Sequence, residues 1–323
     1  MAFVGYLCIV LLVTGVLSVP THRRSVLHGS GSGHLPVKSE PLPRFVGSDD
    51  VTLYLYTQIN PLTPEIVKLE DDSSSPSFNP KNPTRLVIHG WISNAQNLHG
   101  FRDAYIAAGD DYNIILVDWS GPAAADVPTA VQNAVLVGDY VGQVVNHLIE
   151  SRGLDPDQLV IIGHSMGGHV AGIVGNRVGG LAAEVIALDP ANEIFDDNPL
   201  EDQLDITDAK FVQIIHTNGG GFGQPESRGH ADFFPNGGIK QAGCGEDISG
   251  GCSHNIVLNF YIESIVSKDF VATLCSNYQE FSQGGCSSNQ HVAMGEWTPF
   301  SVSGSYYLNT NPNSPFAQGH TEL

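Results

Sequence analysis

Short, uninterrupted apolar runs recur through the middle of the chain and alternate with longer segments whose apolar residues show helical spacing. Such runs are typical of strands that are buried on both faces of a parallel sheet, with helices as the crossovers. The pattern predicts an α/β fold with helices on both faces of a mostly parallel sheet. We predict central strands at residues 85–89, 114–118, 159–162, 184–188 and 210–216, and an alternating strand at 51–56.

The helices of this fold are predicted between and after these strands. Apolar residues return every three or four positions over 128–149, and a helix is predicted over 167–178. A third amphipathic helix is predicted after His254 and extends to residue 265. Since there is neither an internal repeat nor a second composition regime, we expect one domain over 46–316 and a short tail over 317–323.

The N-terminal region differs in composition from the rest of the chain. Residues 2–17 are nearly all apolar or small, and we interpret 1–18 as a secretory signal peptide. A membrane anchor is the alternative, but a span needs about 20 apolar residues. Residues 19–45 are rich in Ser, Gly, Pro and His, which favours a linker or a removable pro-segment. We therefore expect a secreted, extracellular protein.

The remaining composition is globular and acidic. Hydrophobic residues make up 41% and charged residues 15%, and the formal net charge is −20 at pH 7. This charge argues against a nucleic-acid partner and against tight docking on anionic membranes. Four cysteines follow the signal segment, which suggests two disulfides. Of three connectivities we prefer the nearest-neighbour pairing, Cys244–Cys252 and Cys275–Cys286. Zinc binding by these cysteines is not expected, since their spacings do not form the close pairs of structural zinc sites.

A candidate nucleophile follows the third central strand. Residues 163–167 read Gly-His-Ser-Met-Gly, a G-x-S-x-G motif. The motif alone is weak in a chain with 36 glycines, but it is specific between a strand and a helix. In that context Ser165 is raised above the sheet on a strained turn. The N–H of Met166, at the helix N-terminus, is then a candidate oxyanion donor, and the N–H of Trp91 is the second.

An acid and a base are expected further along the chain, in that order. Asp189 directly follows a strand, whereas Asp205 and Asp208 lie in a polar stretch that we expect to be less buried. His254 is the preferred base because a disulfide would restrain the preceding loop, with His230 as its rival. We expect His89 and His216 to be structural. Ester hydrolysis by Ser165, His254 and Asp189 would need no cofactor.

These residues resemble the animal pancreatic-lipase family over about residues 50–316. The matching segments are TRLVIHGW at 84–91, ILVDW at 115–119, GHSMGGHVAG at 163–172, LDPA at 188–191, DITDAKFV at 205–212, 216–218, GHADFFPNGG at 229–238 and CSH at 252–254. The resemblance implies an α/β-hydrolase fold and a lipid ester substrate at a membrane or lipid surface. It places the family's triad on Ser165, Asp189 and His254, and its oxyanion donors on Trp91 and Met166.

Several departures from the family pattern refine this expectation. Only residues 245–251 stand between the cysteines that flank the family's lid, and the loop at 219–228 is also short. With both loops short, the chain resembles the phospholipase A1 and galactolipase branch of the family. We therefore predict phospholipase A1, ahead of triacylglycerol lipase or galactolipase. The family's calcium positions match at Asp205 and Asp208, but Gln203 replaces its arginine, so no metal is predicted. The sequence stops at Leu323, which predicts absence of the C-terminal β-sandwich and of colipase dependence.

A binding protein is the competing class. Some lipase-like proteins related to insect yolk proteins resemble non-catalytic carriers that have lost the nucleophile or the base. Here all three residue types are in place, which favours the enzyme. The sequence leaves the oligomeric state open.

Overall fold

The computed structural model describes residues 46–69, 71–192 and 194–319, and these residues build an 11-stranded sheet. The predicted signal peptide at 1–18, the predicted linker or pro-segment at 19–45 and residues 320–323 lie outside the described part. The strands are β1 (Thr52–Tyr56), β2 (Glu65–Val67), β3 (Thr84–Ile88), β4 (Asn113–Asp118), β5 (Leu159–His164), β6 (Glu184–Leu188), β7 (Phe211–Ile215), β8 (Ala231–Pro235), β9 (Val271–Leu274), β10 (His291–Ala293) and β11 (Gly304–Leu308). The helices are α1 (His99–Ala108), α2 (Ser120–Ala123), α3 (Val127–Glu150), α4 (Met166–Arg177), α5 (Gly251–Val266) and α6 (Tyr278–Ser282).

The sheet is parallel at its centre and antiparallel at its two edges. Its strand order is β10-β9-β11-β8-β7-β6-β5-β3-β4-β1-β2. Every pairing from β11 to β4 in this order is parallel, except that β11 also meets β9 in antiparallel fashion. The predicted α/β architecture is confirmed, and the five predicted central strands appear as β3 to β7 with ends shifted by two residues at most.

Both faces of the sheet are apolar because helices cover both. Along β3, Leu86 and Ile88 join one buried cluster with residues of α3 and α4, whereas Val87 joins the opposite cluster with residues of α1 and α5. Side chains of a strand point alternately to the two faces, so a strand between two helical layers must be apolar at every position. This is the physical origin of the uninterrupted runs in the sequence.

Glycines let α3 and α4 approach each other closely. A Cβ at Gly138 would lie 2.4 Å from Ile173 Cγ2, and a Cβ at Gly142 would lie 2.6 Å from Arg177 Cβ. The start of α3 is fixed by Asp126, whose carboxylate accepts the N–H of Thr129 at 3.2 Å. Among the described residues, none of the helices combines the length and the hydropathy that a transmembrane span requires.

Five strands, four of them in the C-terminal third of the chain, and the start of one helix depart from the predicted elements. Strands β2, β8, β9, β10 and β11 were not predicted, since they are short or, like β8, carry Asp and Pro among their apolar residues. The start of the third predicted helix was also wrong, because α5 begins at Gly251 and includes His254 in its first turn. Asp247 accepts the N–H groups of Cys252 and Ser253, which stabilises this earlier start.

Candidate active site

Ser165 occupies a strained turn between β5 and α4. Its φ and ψ angles are 57° and −125°, a conformation that is costly for a residue with a side chain. Two glycines make the turn possible. A Cβ at Gly163 would lie 1.9 Å from the carbonyl oxygen of Gly167, and a Cβ at Gly167 would lie 2.4 Å from that of His89. The turn therefore holds Ser165, which is partly exposed, at the carboxyl end of the sheet.

The two predicted oxyanion donors flank this serine. Met166 is the first residue of α4, and Trp91 lies in the loop after β3. Within the described part of the chain, neither backbone N–H meets an acceptor. A Cβ on Gly90 would lie 2.9 Å from Ser165 Cβ, so only glycine lets the Trp91 loop pass this close to the serine. The geometry leaves both N–H groups available to an oxygen that develops negative charge.

His89 and Trp119 hold the loop that carries Trp91. The ring nitrogen Nε2 of His89 accepts the N–H of Trp119 at 3.0 Å, and the Trp119 indole donates to the His89 carbonyl at 2.7 Å. The indole of Trp91 donates to the carbonyl of Ala125 at 2.8 Å. Through these contacts His89 stabilises the loop that carries Trp91, as expected for a structural histidine.

The structure brings Ser165, His254 and Asp189 into one hydrogen-bonded chain. Ser165 Oγ lies 2.8 Å from His254 Nε2, and His254 Nδ1 lies 2.5 Å from Asp189 Oδ2. The serine comes from the turn after β5, the aspartate from the turn after β6 and the histidine from the first turn of α5. Such an arrangement lets the imidazole accept a proton from the hydroxyl while the carboxylate stabilises the resulting imidazolium.

The second carboxylate oxygen of Asp189 is also fixed. Oδ1 accepts the backbone N–H groups of Thr217 at 2.7 Å and of Asn218 at 2.9 Å. Asp189 is fully buried and has a φ of 46°. A Cβ at Gly223 would lie 2.4 Å from both carboxylate oxygens, so the loop can close over this carboxylate only with glycine there. Three donors thus hold a buried charge in one orientation.

His164 is a neighbour of the site that the sequence did not single out. Its Nε2 donates to the carbonyl of His254 at 3.0 Å, and the two rings lie 4.8 Å apart. Burial, reinforced by the charge of His254, lowers the pKa of His164 to about 4. The ring is therefore neutral near pH 7 and supports the first turn of α5. Its place in the G-x-S-x-G motif was the available signal.

The remaining candidate histidines make other contacts. His230 Nδ1 accepts the N–H of Val212 at 3.0 Å, so the rival base is engaged with β7. His216 is fully buried between Asp232 and the carbonyl of Gln224, each 2.8 Å from a ring nitrogen. Neither histidine contacts Ser165 or Asp189 through a hydrogen bond among the described residues.

Asp208 corrects one expectation from the sequence. It was expected to be less buried than Asp189, but it is only 1% exposed and packs beside Gly172 of α4. Burial raises the pKa of Asp208 to about 8. Its Oδ2 accepts the Asp205 N–H, and Oδ1 has no partner among the described residues. Calcium takes about six to eight oxygens, and one unpaired carboxylate oxygen is not enough to assign that ion.

Two cavities meet at Ser165. The larger, of about 620 Å³, is lined by His89, Gly90, Trp91, Ile92, Ser93, Asn97, Leu98, His164, Ser165, Phe222, Gly251, His254, Asn255 and Leu258. The smaller, of about 380 Å³, is lined by Trp91, Val127, Ser165, Met166, Ala191, Asn192, Ile194, Gly221 and Phe222. The Phe222 ring borders both cavities and lies 5.3 Å from the His254 ring. Apart from its position within a run of glycines, no local pattern indicated Phe222.

The predicted disulfides frame the side of the site that carries His254. Cys244 pairs with Cys252 and Cys275 with Cys286, as the preferred connectivity predicted. The loop closed by the first pair is compact, with left-handed φ angles at Gly245, Asp247 and Gly250. Ile248 at its tip is 94% exposed and lines neither cavity.

A parallel sheet with helices on both faces, together with a nucleophile turn at the carboxyl end of a central strand, defines an α/β-hydrolase. A family model described as "Lipase" matches residues 31–316. The chain belongs to the lipase family.

Known proteins support this membership. The pancreatic lipase-related protein 2 of Cavia porcellus is 36% identical over 268 residues, which cover 80% of this chain and 61% of that protein. The pancreatic triacylglycerol lipase of Mus musculus is 34% identical over an alignment of 325 positions, which covers 90% of this chain and 69% of that protein. The chain spans about three fifths of the length of the first curated relatives. Thermogutta terrifontis esterase 2 matches with a TM-score of 0.34 and 14% identity over 51% of this chain and 65% of that chain, a likeness too low to carry an argument.

Proposed function

We propose that the protein is an extracellular lipid carboxylester hydrolase of the phospholipase A1 type, with Ser165 as nucleophile. The observation that carries this proposal is the hydrogen-bonded chain from Ser165 Oγ through His254 to Asp189, with distances of 2.8 and 2.5 Å. The two disulfides and the predicted signal peptide support an oxidising, extracellular location.

The first half of the reaction forms an acyl-enzyme. His254 Nε2 takes the proton of Ser165 Oγ as the oxygen bonds to the ester carbonyl carbon, and Asp189 stabilises the imidazolium. The N–H groups of Trp91 and Met166 stabilise the oxyanion. When the tetrahedral intermediate collapses, the bond to the leaving alkoxy oxygen breaks and His254 returns the proton to that oxygen, which releases the alcohol.

The second half regenerates the enzyme. Water gives a proton to His254 Nε2 while its oxygen bonds to the acyl carbon. The new intermediate collapses, the bond to Ser165 Oγ breaks, and His254 protonates the serine as the carboxylic acid leaves. No step in this scheme uses a cofactor.

The phospholipase A1 assignment is supported by the openness of the site. The 245–251 loop is short, its exposed Ile248 lines neither cavity, and Ser165 is partly exposed. Triacylglycerol lipase is the second candidate, favoured by the names of the relatives, and galactolipase is a third. A non-catalytic, yolk-protein-like lipid binder is the competing class.

Covalent labelling separates the enzyme from the binder. A fluorophosphonate probe is expected to label the intact protein and the exposed-serine control Ser303→Ala, but not Ser165→Ala, because the probe reacts with an activated hydroxyl. Absence of labelling in the intact protein, or equal labelling of Ser165→Ala, would contradict the enzyme proposal.

Product analysis separates the substrates. With phosphatidylcholine and triolein presented in matched dispersions, we expect faster hydrolysis of the phospholipid and release of the sn-1 fatty acid. Predominant cleavage of triolein would replace the phospholipase A1 assignment by a triacylglycerol lipase.

A further inference from the structure

The two cavities that meet at Ser165 differ in polarity. Besides the residues that both share, the larger one presents the polar side chains of Ser93, Asn97 and Asn255 together with three histidines, His89, His164 and His254. The smaller one is lined mainly by apolar side chains, with Asn192 as its additional polar residue. Among the described residues that line them, neither cavity contains Lys, Arg, Asp or Glu.

The direction of proton transfer assigns the two halves of an ester to these cavities. His254 has to deliver its proton to the leaving oxygen, and its side chain lines the larger cavity and not the smaller one. Met166, whose N–H faces the developing oxyanion, lines only the smaller cavity. The leaving alcohol therefore belongs in the larger cavity, and the acyl chain belongs in the smaller, apolar one.

We infer that the larger cavity binds the headgroup of a polar lipid without net charge, and that Asn97 and Asn255 are its specificity-determining residues. This inference rests on the proposed function. The headgroup chemistry shared by an ethanolamine phospholipid and a glycosyl diacylglycerol, with donors and acceptors but no net charge, fits a wall of amides and a hydroxyl. A triglyceride offers these groups no donor.

The hydrogen bonds already present leave both amide oxygens available. Asn97 Nδ2 donates to Ser93 Oγ at 3.0 Å, and Asn255 Nδ2 donates to the Gly251 carbonyl at 2.7 Å. Neither Oδ1 accepts a hydrogen bond from a described residue, so both can accept from a headgroup. These internal bonds also hold the amides in place, which lowers the entropy lost on binding. An anionic headgroup finds no cation in either lining.

The test compares substrates within one variant. Asn97→Leu/Asn255→Leu keeps the branched side-chain shape but removes both amides, and with them the hydrogen bonds to the headgroup. We expect kcat/KM for phosphatidylethanolamine, whose ammonium can donate to the amide oxygens, divided by kcat/KM for triolein, to fall about tenfold. Asn259→Leu, one turn further along α5, exposed and outside the cavity, is the matched control and should leave this ratio unchanged.

The same assay with galactosyl diacylglycerol distinguishes the two headgroup sources. For each polar lipid, kcat/KM is divided by kcat/KM for triolein. The asparagines bind more tightly the lipid for which this ratio falls further in the double variant. Unchanged ratios for both polar lipids, in a double variant that still reacts with the fluorophosphonate probe, overturn the inference and leave the proposed function standing. Failure of the unsubstituted protein to react with the probe would instead overturn the proposed function.

Discussion

The two edges of the parallel sheet differ in backbone strain and in hydrogen bonding. At the carboxyl edge, Ser165, Asp189 and Ile92 have positive φ angles of 57°, 46° and 50°. At the amino edge, polar side chains form hydrogen bonds and an ion pair with one another. Among the residues that the structure describes, the backbone N–H groups of Trp91 and Met166 at the carboxyl edge have no acceptor, and the Ser165 hydroxyl there is partly exposed. Strain and unpaired donors are costly in a folded protein, and they are tolerated where chemistry requires them.

The amino edge shows the opposite arrangement. Arg85, near the start of β3, pairs with Glu296 at 2.6 Å, and the hydroxyls of Tyr105 and Tyr261 donate to the second oxygen of this carboxylate. These groups tie α1, α5 and the sheet together. The comparison indicates that strain and unpaired donors at the carboxyl edge lower stability but provide reactive groups. At the amino edge, paired charges fix the positions of the helices. The predictions below test this division.

The largest expected effect is on activity, from Ser165. Ser165→Ala should lower kcat/KM for ester substrates by at least about 10³-fold, because no other group replaces the nucleophile. Ser165→Gly should be equally inactive but more stable than Ser165→Ala by about 1 kcal/mol, since glycine tolerates the positive φ. Urea denaturation of both variants measures the difference, and equal stabilities would remove the argument for backbone strain.

The second effect is on stability, from the amino edge. Glu296→Ala leaves Arg85 buried without its partner, and we expect a loss of about 3–5 kcal/mol in the free energy of unfolding. The double variant Arg85→Leu/Glu296→Leu should lose less than Glu296→Ala. Activity per folded molecule should stay within about twofold, so a loss like that of Ser165→Ala would show that the edges are not separable.

A third effect appears in acid. Burial lowers the pKa of His169, in α4, from 6.5 to about 4. Between these values the unfolded chain binds a proton that the folded chain does not, so stability falls as pH drops through this window, by about 3 kcal/mol for this residue. His169→Gln should make the decline of the unfolding free energy between pH 6.5 and 4 shallower. The decline that remains is due in part to His164, whose pKa is also lowered. An unchanged pH dependence of the unfolding free energy would contradict this.

The smallest expected effect is a loss of stability as pH rises, the opposite of the histidine effect, and it comes from Glu184 at the amino edge. Burial raises the pKa of Glu184, the first residue of β6, well above its ordinary value. Above pH 4.5 the folded chain therefore keeps a proton that the unfolded chain has lost, and stability falls as pH rises. Glu184→Gln preserves the bond from Gln213 and should give a gain in melting temperature that grows from pH 5 to pH 8. A gain independent of pH would point to another cause.

Much of the site was predictable because its residues follow strands. Gly163 and Gly167 marked the nucleophile turn, and Asp189 stood directly after a buried strand. His254 was less determined by local sequence, and the predicted start of its helix was wrong, because the Asp247 carboxylate in the loop just before α5 accepts N–H groups of the first turn and so fixes where α5 begins. Asp208 was misjudged for a related reason. Its burial depends on contact with Gly172 of α4, which a polar local sequence does not reveal.

The family resemblance strengthened His254 over its rival His230, and the local sequence determined the parallel centre of the sheet, the helices that flank it, Ser165 and Asp189. These follow from period, strand ends and glycine positions, which are local properties. Tertiary structure alone decided which backbone N–H groups hold Asp189, that Phe222 stands between two cavities, and that Asn97 and Asn255 share one wall. These depend on loops from distant parts of the chain meeting at one edge of the sheet, a proximity that no local pattern encodes.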